Sequence, residues 1–196
     1  MESLVFISRL AWPVTLFLGV LHSWTIHCAH HKLENLDVAE QKVVGLKTEN
    51  GFYYSYYEEV VSAPTWFAGM HAAMYDRRSE APDTINAIER FNIHQELICG
   101  SLYRFLHWCL GEELLVDPWR FFRMSLYALN GLGYVALLVL GASCGGYGLR
   151  GGVLPGATLV LLHWLHQHEI SRVSEQSISN LREFWACPVL WCQTLS

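Results

Sequence analysis

Three long stretches without a charged side chain constrain this chain more than any other feature. The stretches free of Asp, Glu, Lys and Arg are residues 10–31, 124–149 and 151–168. A helix needs roughly 17–25 predominantly apolar residues to cross a bilayer, and each stretch is close to that length. The pattern therefore predicts membrane-spanning helices over about 10–29, 124–147 and 151–168.

The composition supports an all-α membrane protein. Hydrophobic residues make up 52% of the 196-residue chain and charged residues only 16%, whereas soluble domains usually carry about a quarter charged residues. The lipid bilayer is therefore a predicted partner. The net charge of -5 and the absence of a basic run give no reason to expect binding to nucleic acid.

The charge pattern divides the chain into five parts. They are a first transmembrane helix at 1–30, a luminal loop with amphipathic helices at 31–123, two transmembrane helices joined by a short cytosolic turn at 124–168, a second luminal loop at 169–183, and the start of a fourth transmembrane helix at 184–196. The fourth apolar segment is too short to span a bilayer. We therefore expect an N-terminal fragment or a short isoform.

The orientation follows from the short link between the second and third segments. Its only charge is Arg150, and short positively charged loops face the cytosol. This places the loops at 31–123 and 169–183 on the luminal side. We interpret the first segment as a retained anchor, and a cleaved signal peptide is the alternative, although no clean small-x-small cleavage site follows it.

Helical periodicity marks the long loop. The sequence predicts one short helix over 52–62 and a longer amphipathic helix over 86–110, starting after Pro82. We expect Ile88, Phe91, Leu102 and Phe105 on the buried face of the longer helix, against the membrane or the helix bundle. A spanning helix over 97–116 is the alternative, and a charged Arg104 at its centre makes it costly.

The run ENGFYYSYYEE at residues 49–59 is the richest in candidate functional groups. Glu49 stands at the predicted start of a helix, where free N–H groups and the helix dipole favour a carboxylate. Such a group can act as a base or an electrostatic stabiliser, although acids are common in any first turn. Tyr53 and Tyr54 are candidates for substrate binding by stacking, with an interfacial aromatic belt as the alternative.

Arg172 is a candidate for binding a phosphate group. It stands near a predicted membrane surface, and a guanidinium matches phosphate geometry, although an Arg that snorkels from a helix end is the alternative. His27 and His31 have a helical spacing that suits a metal site. No Asp, Glu or Cys completes a ligand set at such spacing, so we predict no metal.

The loop also resembles a known protein family. ENGFYYSYYEE corresponds to an acid–x–Gly–Leu/Phe–Tyr–Tyr–Ser–Tyr core, and an Ala-Pro, an Asp-Arg turn, the run INAIERFN at 85–92 and a Tyr-Arg follow it. From about 44 to 191 the chain is similar to the dumpy-type protein tryptophan C-mannosyltransferases, nearest their like-3 branch. The stretch at 169–183 is more polar than in the family, so substrate contacts there stay open.

The resemblance implies a fold, an activity and a location. The fold is the GT-C type of polytopic glycosyltransferase, of which this chain is the N-terminal part, in the endoplasmic reticulum membrane. The activity is transfer of mannose from dolichyl-phosphate mannose to C2 of tryptophan in Trp-x-x-Trp motifs of unfolded secretory polypeptides, with no metal or other cofactor. By the same resemblance Glu49 is the catalytic carboxylate, and Arg172 is our candidate for the donor phosphate.

Two other functions compete with this one. A catalytically inactive membrane interaction protein of the same family is favoured by the missing spans. A small channel or transporter is disfavoured because no acid or base lies inside a predicted span. Mannosylation of a secreted Trp-x-x-Trp reporter by this protein separates the first function from both others.

Overall fold

The computed structural model describes residues 2–46, 49–111 and 115–145, and its regular elements there are helices. They are α1 Glu2–Ala29, α2 Val38–Gly45, α3 Glu49–Ser62, α4 Trp66–Met74, α5 Ala87–Phe91, α6 His94–Leu110 and α7 Pro118–Gly145. A 3-10 turn, His31–Asn35, links α1 to α2. An isolated bridge between Asp76 and Ile85, made by two backbone hydrogen bonds of 2.9 Å, closes the loop between α4 and α5.

The predicted all-α class is confirmed for this part of the chain. The first two charge-free stretches form the long helices α1 and α7. Among the residues that the structure describes, no helix combines the length and the apolar character needed to cross a membrane. The transmembrane assignments stay predictions, and those for 151–168, 169–183 and 184–196 lie outside the described residues.

Helices α1 and α7 form a closely packed antiparallel pair. Gly19 of α1 lies against Gly131 of α7, and Ser23 Oγ donates a hydrogen bond of 2.8 Å to the carbonyl oxygen of Tyr127. Residue numbers therefore rise along one helix as they fall along the other. A Cβ atom on Gly131 would lie 2.1 Å from Ser23 Oγ and 2.6 Å from the carbonyl oxygen of Gly19. The two backbones approach this closely because both positions lack a side chain.

The outer surface of this pair is apolar. On α1 the side chains of Val14, Phe17, Val20 and Trp24 are exposed, and on α7 Leu132 is exposed. Within the described part of the chain these side chains are not packed in a hydrophobic core. They give the pair a large apolar exterior of the kind that soluble monomers seldom expose.

The region between the two long helices packs around α3. Val60 of α3 is fully buried between Gly69 of α4 and Gly100 of α6. A Cβ atom on Gly69 would lie 2.9 Å from Val60 Cα, and one on Gly100 would lie 2.9 Å from Val60 Cγ1. Small residues at both contacts let α4 and α6 pack directly on the backbone of α3.

The short predicted helix over 52–62 is confirmed, and it starts three residues earlier than predicted, at Glu49. The single longer helix over 86–110 is wrong. The chain breaks between α5 and α6, where Asn92 has a left-handed conformation with φ 57°. The predicted start at residue 86 is confirmed within one residue, because Asn86 caps α5 by accepting a hydrogen bond of 3.2 Å from the N–H of Ile88.

Only half of the predicted buried face packs against other parts of the protein, and contact of the other half with a membrane stays a prediction. Ile88 and Phe91 pack against the core, but Leu102 and Phe105 are exposed. On α6 the face that meets α3 carries Leu97, Gly100 and Tyr103 instead. The reason is that α6 contacts α3 through the small Gly100. A prediction based on large apolar side chains does not place a glycine on the buried face.

We predict that Gly131→Ala destabilises the pair of long helices. The added methyl group has no space against Ser23 Oγ and the backbone of Gly19, and overpacking of this kind costs about 1–3 kcal/mol. Thermal unfolding of the detergent-solubilised chain, followed by circular dichroism, measures the loss.

The matched control is Gly51→Ala. Its nearest foreign atom, Leu46 Cβ, would lie 4.0 Å from the new Cβ. Alanine is the better helix former by about 0.5–1 kcal/mol, so this variant keeps or raises stability. Equal stability of the two variants contradicts the proposed close contact.

Candidate functional site

Glu49 is the first residue of α3, and its side chain is exposed. The prediction that this carboxylate stands at a helix start is therefore confirmed. The first N–H groups of a helix have no partner within the helix, and together with the helix dipole they favour negative charge at that point. The arrangement places a solvent-accessible carboxylate on a helix end whose position is fixed by the packing described below.

The four tyrosines of α3 divide between its two faces. Tyr54 and Tyr57 point to one aromatic cluster, where their rings meet that of Phe122 at 5.1 and 4.7 Å between centroids. Tyr53 and Tyr56 point to a second cluster, where both meet the ring of Phe52. Burial of a side chain of this size contributes on the order of 2 kcal/mol, so both faces hold the helix firmly.

The predicted substrate-binding tyrosines are both in the interior. Tyr53 and Tyr54 are each 4% exposed. The ring of Tyr54 packs edge-on against Trp119 at 5.2 Å. An aromatic belt on the surface is therefore the wrong description of these side chains. Substrate binding by Tyr53 and Tyr54 stays a prediction, and their observed contacts are with the core.

Two tyrosine hydroxyl groups tie α3 to distant segments. Tyr57 Oη donates a hydrogen bond of 2.8 Å to the carbonyl oxygen of Pro118, the first residue of α7. Tyr56 Oη donates one of 2.6 Å to Asp76 Oδ2, at the end of the segment that follows α4. Burial, in both cases the largest effect, raises the pKa of each phenol above its ordinary value. Both hydroxyls therefore stay protonated and act as donors.

Asp76 is a buried carboxylate with a complete set of donors. Ser79 Oγ and Tyr56 Oη donate to its Oδ2, and the backbone N–H of Arg78 donates to Oδ1 at 2.8 Å. Burial on its own raises the pKa of this carboxyl group. The hydrogen bonds from Ser79, Tyr56 and Arg78, with the charge of Arg78, outweigh it and lower the pKa to about 2.

Arg104 binds the other end of α3. Its Nη1 donates to the carbonyl oxygens of Val60 at 3.0 Å, Val61 at 3.2 Å and Ala63 at 2.5 Å, and Nη2 lies 3.4 Å from that of Pro64. The last carbonyl groups of a helix have no partner within the helix, and the C-terminal end of the dipole attracts a cation. Arg104 meets both demands.

A third set of polar contacts joins α7 to the start of the loop. Trp119 Nε1 donates to Gln41 Oε1 at 2.9 Å, and Gln41 Nε2 donates to the carbonyl oxygen of Leu36 at 2.9 Å. The buried guanidinium of Arg123 lies 5.7 Å from the centre of the Trp119 ring and 3.6 Å from the carboxylate of Glu34. The first turns of α7 are thereby fixed relative to α2.

Arg172 lies outside the described residues, so its predicted role beside a phosphate stays a prediction. The two histidines whose spacing would suit a metal, His27 and His31, can be placed: His27 lies edge-on to Tyr127 with ring centroids 6.0 Å apart, and His31 is exposed. In the part of the chain that the structure describes, no three His, Cys, Asp or Glu side chains come together as a metal site requires.

Sequence reasoning missed the residues that hold α3 in place. In the sequence Arg104 indicates an obstacle to a membrane span, although a lone cation among apolar residues is itself a signal of a polar partner. Asp76 belongs to the Asp-Arg turn of the family motif, but its pairing with Tyr56 joins residues 20 apart along the chain. No local pattern reveals such a contact.

Comparison with known proteins places the chain in context. A family model described as Dpy19, Q-cell neuroblast polarisation, matches residues 14–196. Protein C-mannosyl-transferase DPY19L1 of Homo sapiens is 30% identical over 207 residues, which cover 91% of this chain and 29% of the relative. Probable C-mannosyltransferase DPY19L2 of Homo sapiens is 29% identical over 215 residues, covering 96% of this chain and 27% of the relative.

A third relative gives a shorter match. C-mannosyltransferase dpy-19 of Caenorhabditis elegans is 36% identical over 64 residues, covering 33% of this chain and 9% of the relative. The chain thus spans less than a third of the length of these curated relatives. Nearness to the like-3 branch stays a prediction.

We predict that Arg104→Met destabilises the loop region. The change keeps much of the side chain's apolar length but removes the donors to four carbonyl groups at the end of α3. Hydrogen bonds to a charged group contribute about 1.5–3 kcal/mol, so a loss of that size in the free energy of unfolding is expected in urea denaturation.

The control is Arg90→Met, which removes an exposed ion pair with Glu80. Such a pair contributes at most about 1 kcal/mol to stability. Similar losses for both variants contradict the capping role.

We also predict an acid-sensitive contribution from Asp76. Its pKa is lowered from 3.8 to about 2 in the folded chain, so the stability it contributes is fully present above pH 4. That stability is lost as the pH falls from about 4 towards 2, because the unfolded chain takes up the proton first. Thermal unfolding at several pH values measures this loss of stability. Asp76→Asn is expected to remove the part of the pH dependence that comes from Asp76.

Asp83→Asn is the control for this measurement, since Asp83 is an exposed acid in the same loop. It is expected to keep the pH dependence of the unchanged chain. If Asp76→Asn also keeps that dependence in full, the hydrogen bonds around Asp76 do not set its pKa.

Proposed function

Because the chain belongs to the Dpy19 family, we propose that it functions in protein C-mannosylation. The relatives are named C-mannosyltransferases, which makes a glycosyltransferase the best-supported class. The proposed reaction moves mannose from dolichyl-phosphate mannose to C2 of a tryptophan indole in Trp-x-x-Trp motifs of secretory polypeptides. No metal or other cofactor takes part in the proposed reaction.

The chemistry asks for one well-placed carboxylate. A carbon–carbon bond forms between indole C2 and the anomeric carbon of mannose, while the bond from that carbon to the phosphate oxygen breaks and dolichyl phosphate leaves with the electron pair. The indole ring is then cationic and must lose the proton on C2. A nearby carboxylate stabilises the cation and accepts that proton.

Glu49 is the carboxylate that we assign to this role. The observation that carries the assignment is its position: an exposed acid on the first residue of a helix that is otherwise held on both faces. A base must keep a fixed geometry relative to the proton it removes, and a group on a rigid element keeps it better than one on a loop. Tyr53 and Tyr54 follow on the next turn, and they stay the candidates for substrate binding.

The donor requires a cation for its phosphate, and Arg172 is our candidate. A guanidinium can pair with two phosphate oxygens at once and stabilise the charge that develops on the leaving group. In this proposal the segment that carries Arg172 faces the same compartment as Glu49. The reaction needs Arg172 and Glu49 on the same side of the membrane. This need and the charge pattern both support a luminal position for 31–123 and 169–183.

We further propose that α1 and α7 lie in the endoplasmic reticulum membrane as the first spans of a GT-C type fold. Two observations support this placement. The sequence has no charged side chain over 10–31 or 124–149, and the antiparallel pair exposes apolar side chains such as Phe17, Val20 and Leu132 to its surroundings. Exposure of such an apolar surface is favourable in the hydrocarbon core of a bilayer and unfavourable in water.

The test replaces Glu49 with Gln in cells whose only C-mannosyltransferase is this protein. The change keeps the shape of the side chain and removes its charge, so folding is expected to survive. Removing a general base typically costs about 10²–10⁴ in rate. Mass spectrometry of a secreted Trp-x-x-Trp reporter, with protein abundance measured in parallel, shows whether mannosylation falls by that factor.

Glu58→Gln is the matched control. Glu58 lies on the same helix but more than two turns away, where it pairs with Lys42 at 2.6 Å on the surface. Its replacement is expected to leave mannosylation unchanged. Equal loss in both variants, or no loss in Glu49→Gln, refutes the role of Glu49. An unchanged protein that mannosylates nothing supports the inactive interaction protein instead.

A further inference from the structure

The exposed side chains of α4 and α6 form an apolar face of the loop region. We define this face by six exposed side chains: Trp66, Phe67, Ile98, Leu102, Phe105 and Trp108. Trp66 Nε1 donates a hydrogen bond of 2.8 Å to Ser101 Oγ, which joins α4 to α6 side by side. Trp108 is 81% exposed and Phe67 77%, so these large rings lie almost entirely outside the core.

Charge is excluded from this face to an unusual degree. Residues 60–75 contain no Asp, Glu, Lys or Arg, and residues 91–111 contain only Glu96 and Arg104. Glu96 is 2% exposed, and the guanidinium of Arg104 is turned to the carbonyl groups at the end of α3. Neither charge is therefore presented on the apolar face.

The charged side chains of the loop lie elsewhere. Lys42 pairs with Glu58 on the surface of α2 and α3, and Arg90 pairs with Glu80 beside α5. The loop region is thus amphipathic as a whole, with ion pairs on some elements and exposed aromatic rings on α4 and α6. Tryptophan and phenylalanine with this segregation of charge are typical of a surface that sits at the boundary between lipid headgroups and acyl chains.

The position of α6 relative to α7 indicates what contacts the apolar face. The ring of Tyr103 packs against Phe121 at 5.2 Å, and Tyr103 Oη lies 3.4 Å from the carbonyl oxygen of Val116. The middle of α6 is thereby fixed to the first turns of α7. If α7 enters the bilayer there, as the proposed function holds, α6 is fixed at the depth of the membrane surface.

We propose that the apolar face of α4 and α6 docks on the luminal surface of the bilayer. This proposal rests on the membrane placement of α1 and α7 made above. Docking holds the loop region in one orientation to the membrane, and thus sets the height of Glu49 above the lipid. Its occupant is a lipid surface and not a protein, because aromatic rings with no Asp, Glu, Lys or Arg presented among them suit the boundary of a bilayer better than a protein interface with its polar rim.

The test uses spin labels on the full chain in phosphatidylcholine vesicles. Phe105→Cys and Trp108→Cys, in a chain whose native cysteines are serine, each receive a nitroxide, and collision rates with oxygen and with a water-soluble nickel chelate are measured. Oxygen is concentrated in lipid and the chelate in water. A ratio of oxygen to chelate accessibility several-fold higher at both positions than at a label on Glu89→Cys supports docking. Glu89 is an exposed acid of α5.

Two results overturn the proposal. High chelate accessibility at positions 105 and 108 means that the face is in water, and low accessibility to both reagents means that protein covers it, either residues 146–196 or a second copy. Both labelled side chains are exposed, so the labels do not enter the core. Circular dichroism against the unchanged chain shows whether the fold survives the serine background, which includes Cys99 beside the core.

A label on Val20→Cys separates failure of docking from failure of the membrane placement. Val20 is an exposed side chain of α1 that faces lipid if α1 spans. Oxygen accessibility at Val20 with chelate accessibility at Phe105 overturns docking alone. Chelate accessibility at both positions overturns docking together with the membrane placement of α1.

Discussion

The burial of α3 on two faces determines the arrangement of the other helices between α1 and α7. Most surface helices present one apolar stripe to a core. This helix presents two, because tyrosines at positions 53 and 56 and at 54 and 57 fall on different faces. Each face needs its own covering elements. One cluster recruits α7 through Trp119 and Phe122, and the other recruits α5 and the start of α6 through Ala87 and Ile93.

Polar groups then fix the register that apolar packing leaves open. An aromatic cluster can adjust by small sliding movements at little cost, whereas a buried hydrogen bond is costly to break. The carboxylate of Asp76, the carbonyl oxygen of Pro118 and the guanidinium of Arg104 hold α3 at three separate points. A helix fixed in this way presents its first residue, Glu49, at a constant place.

The sequence predicted well what depends on local pattern. The first two charge-free stretches form the long helices α1 and α7, and the acid before the tyrosine run stands at a helix start. The break at Asn92 escaped prediction because apolar periodicity runs across it, and only a left-handed backbone shows the interruption. The side of α6 that meets α3 escaped prediction for another reason. Close contact through Gly69 and Gly100 puts small residues inside and leaves Leu102 and Phe105 outside.

The first turns of α7 are part of the core around α3, and this has a consequence for how the chain is made. Tyr57 and Pro118, which share a hydrogen bond, are 61 residues apart. At translation rates of about 5–20 residues per second, the ribosome needs roughly 3–12 s to advance from one to the other. During that interval Tyr54 and Tyr57 have been synthesised but Trp119 and Phe122 have not. The region must therefore wait with one aromatic surface uncovered, which makes it a natural client for chaperones until α7 emerges and completes the core.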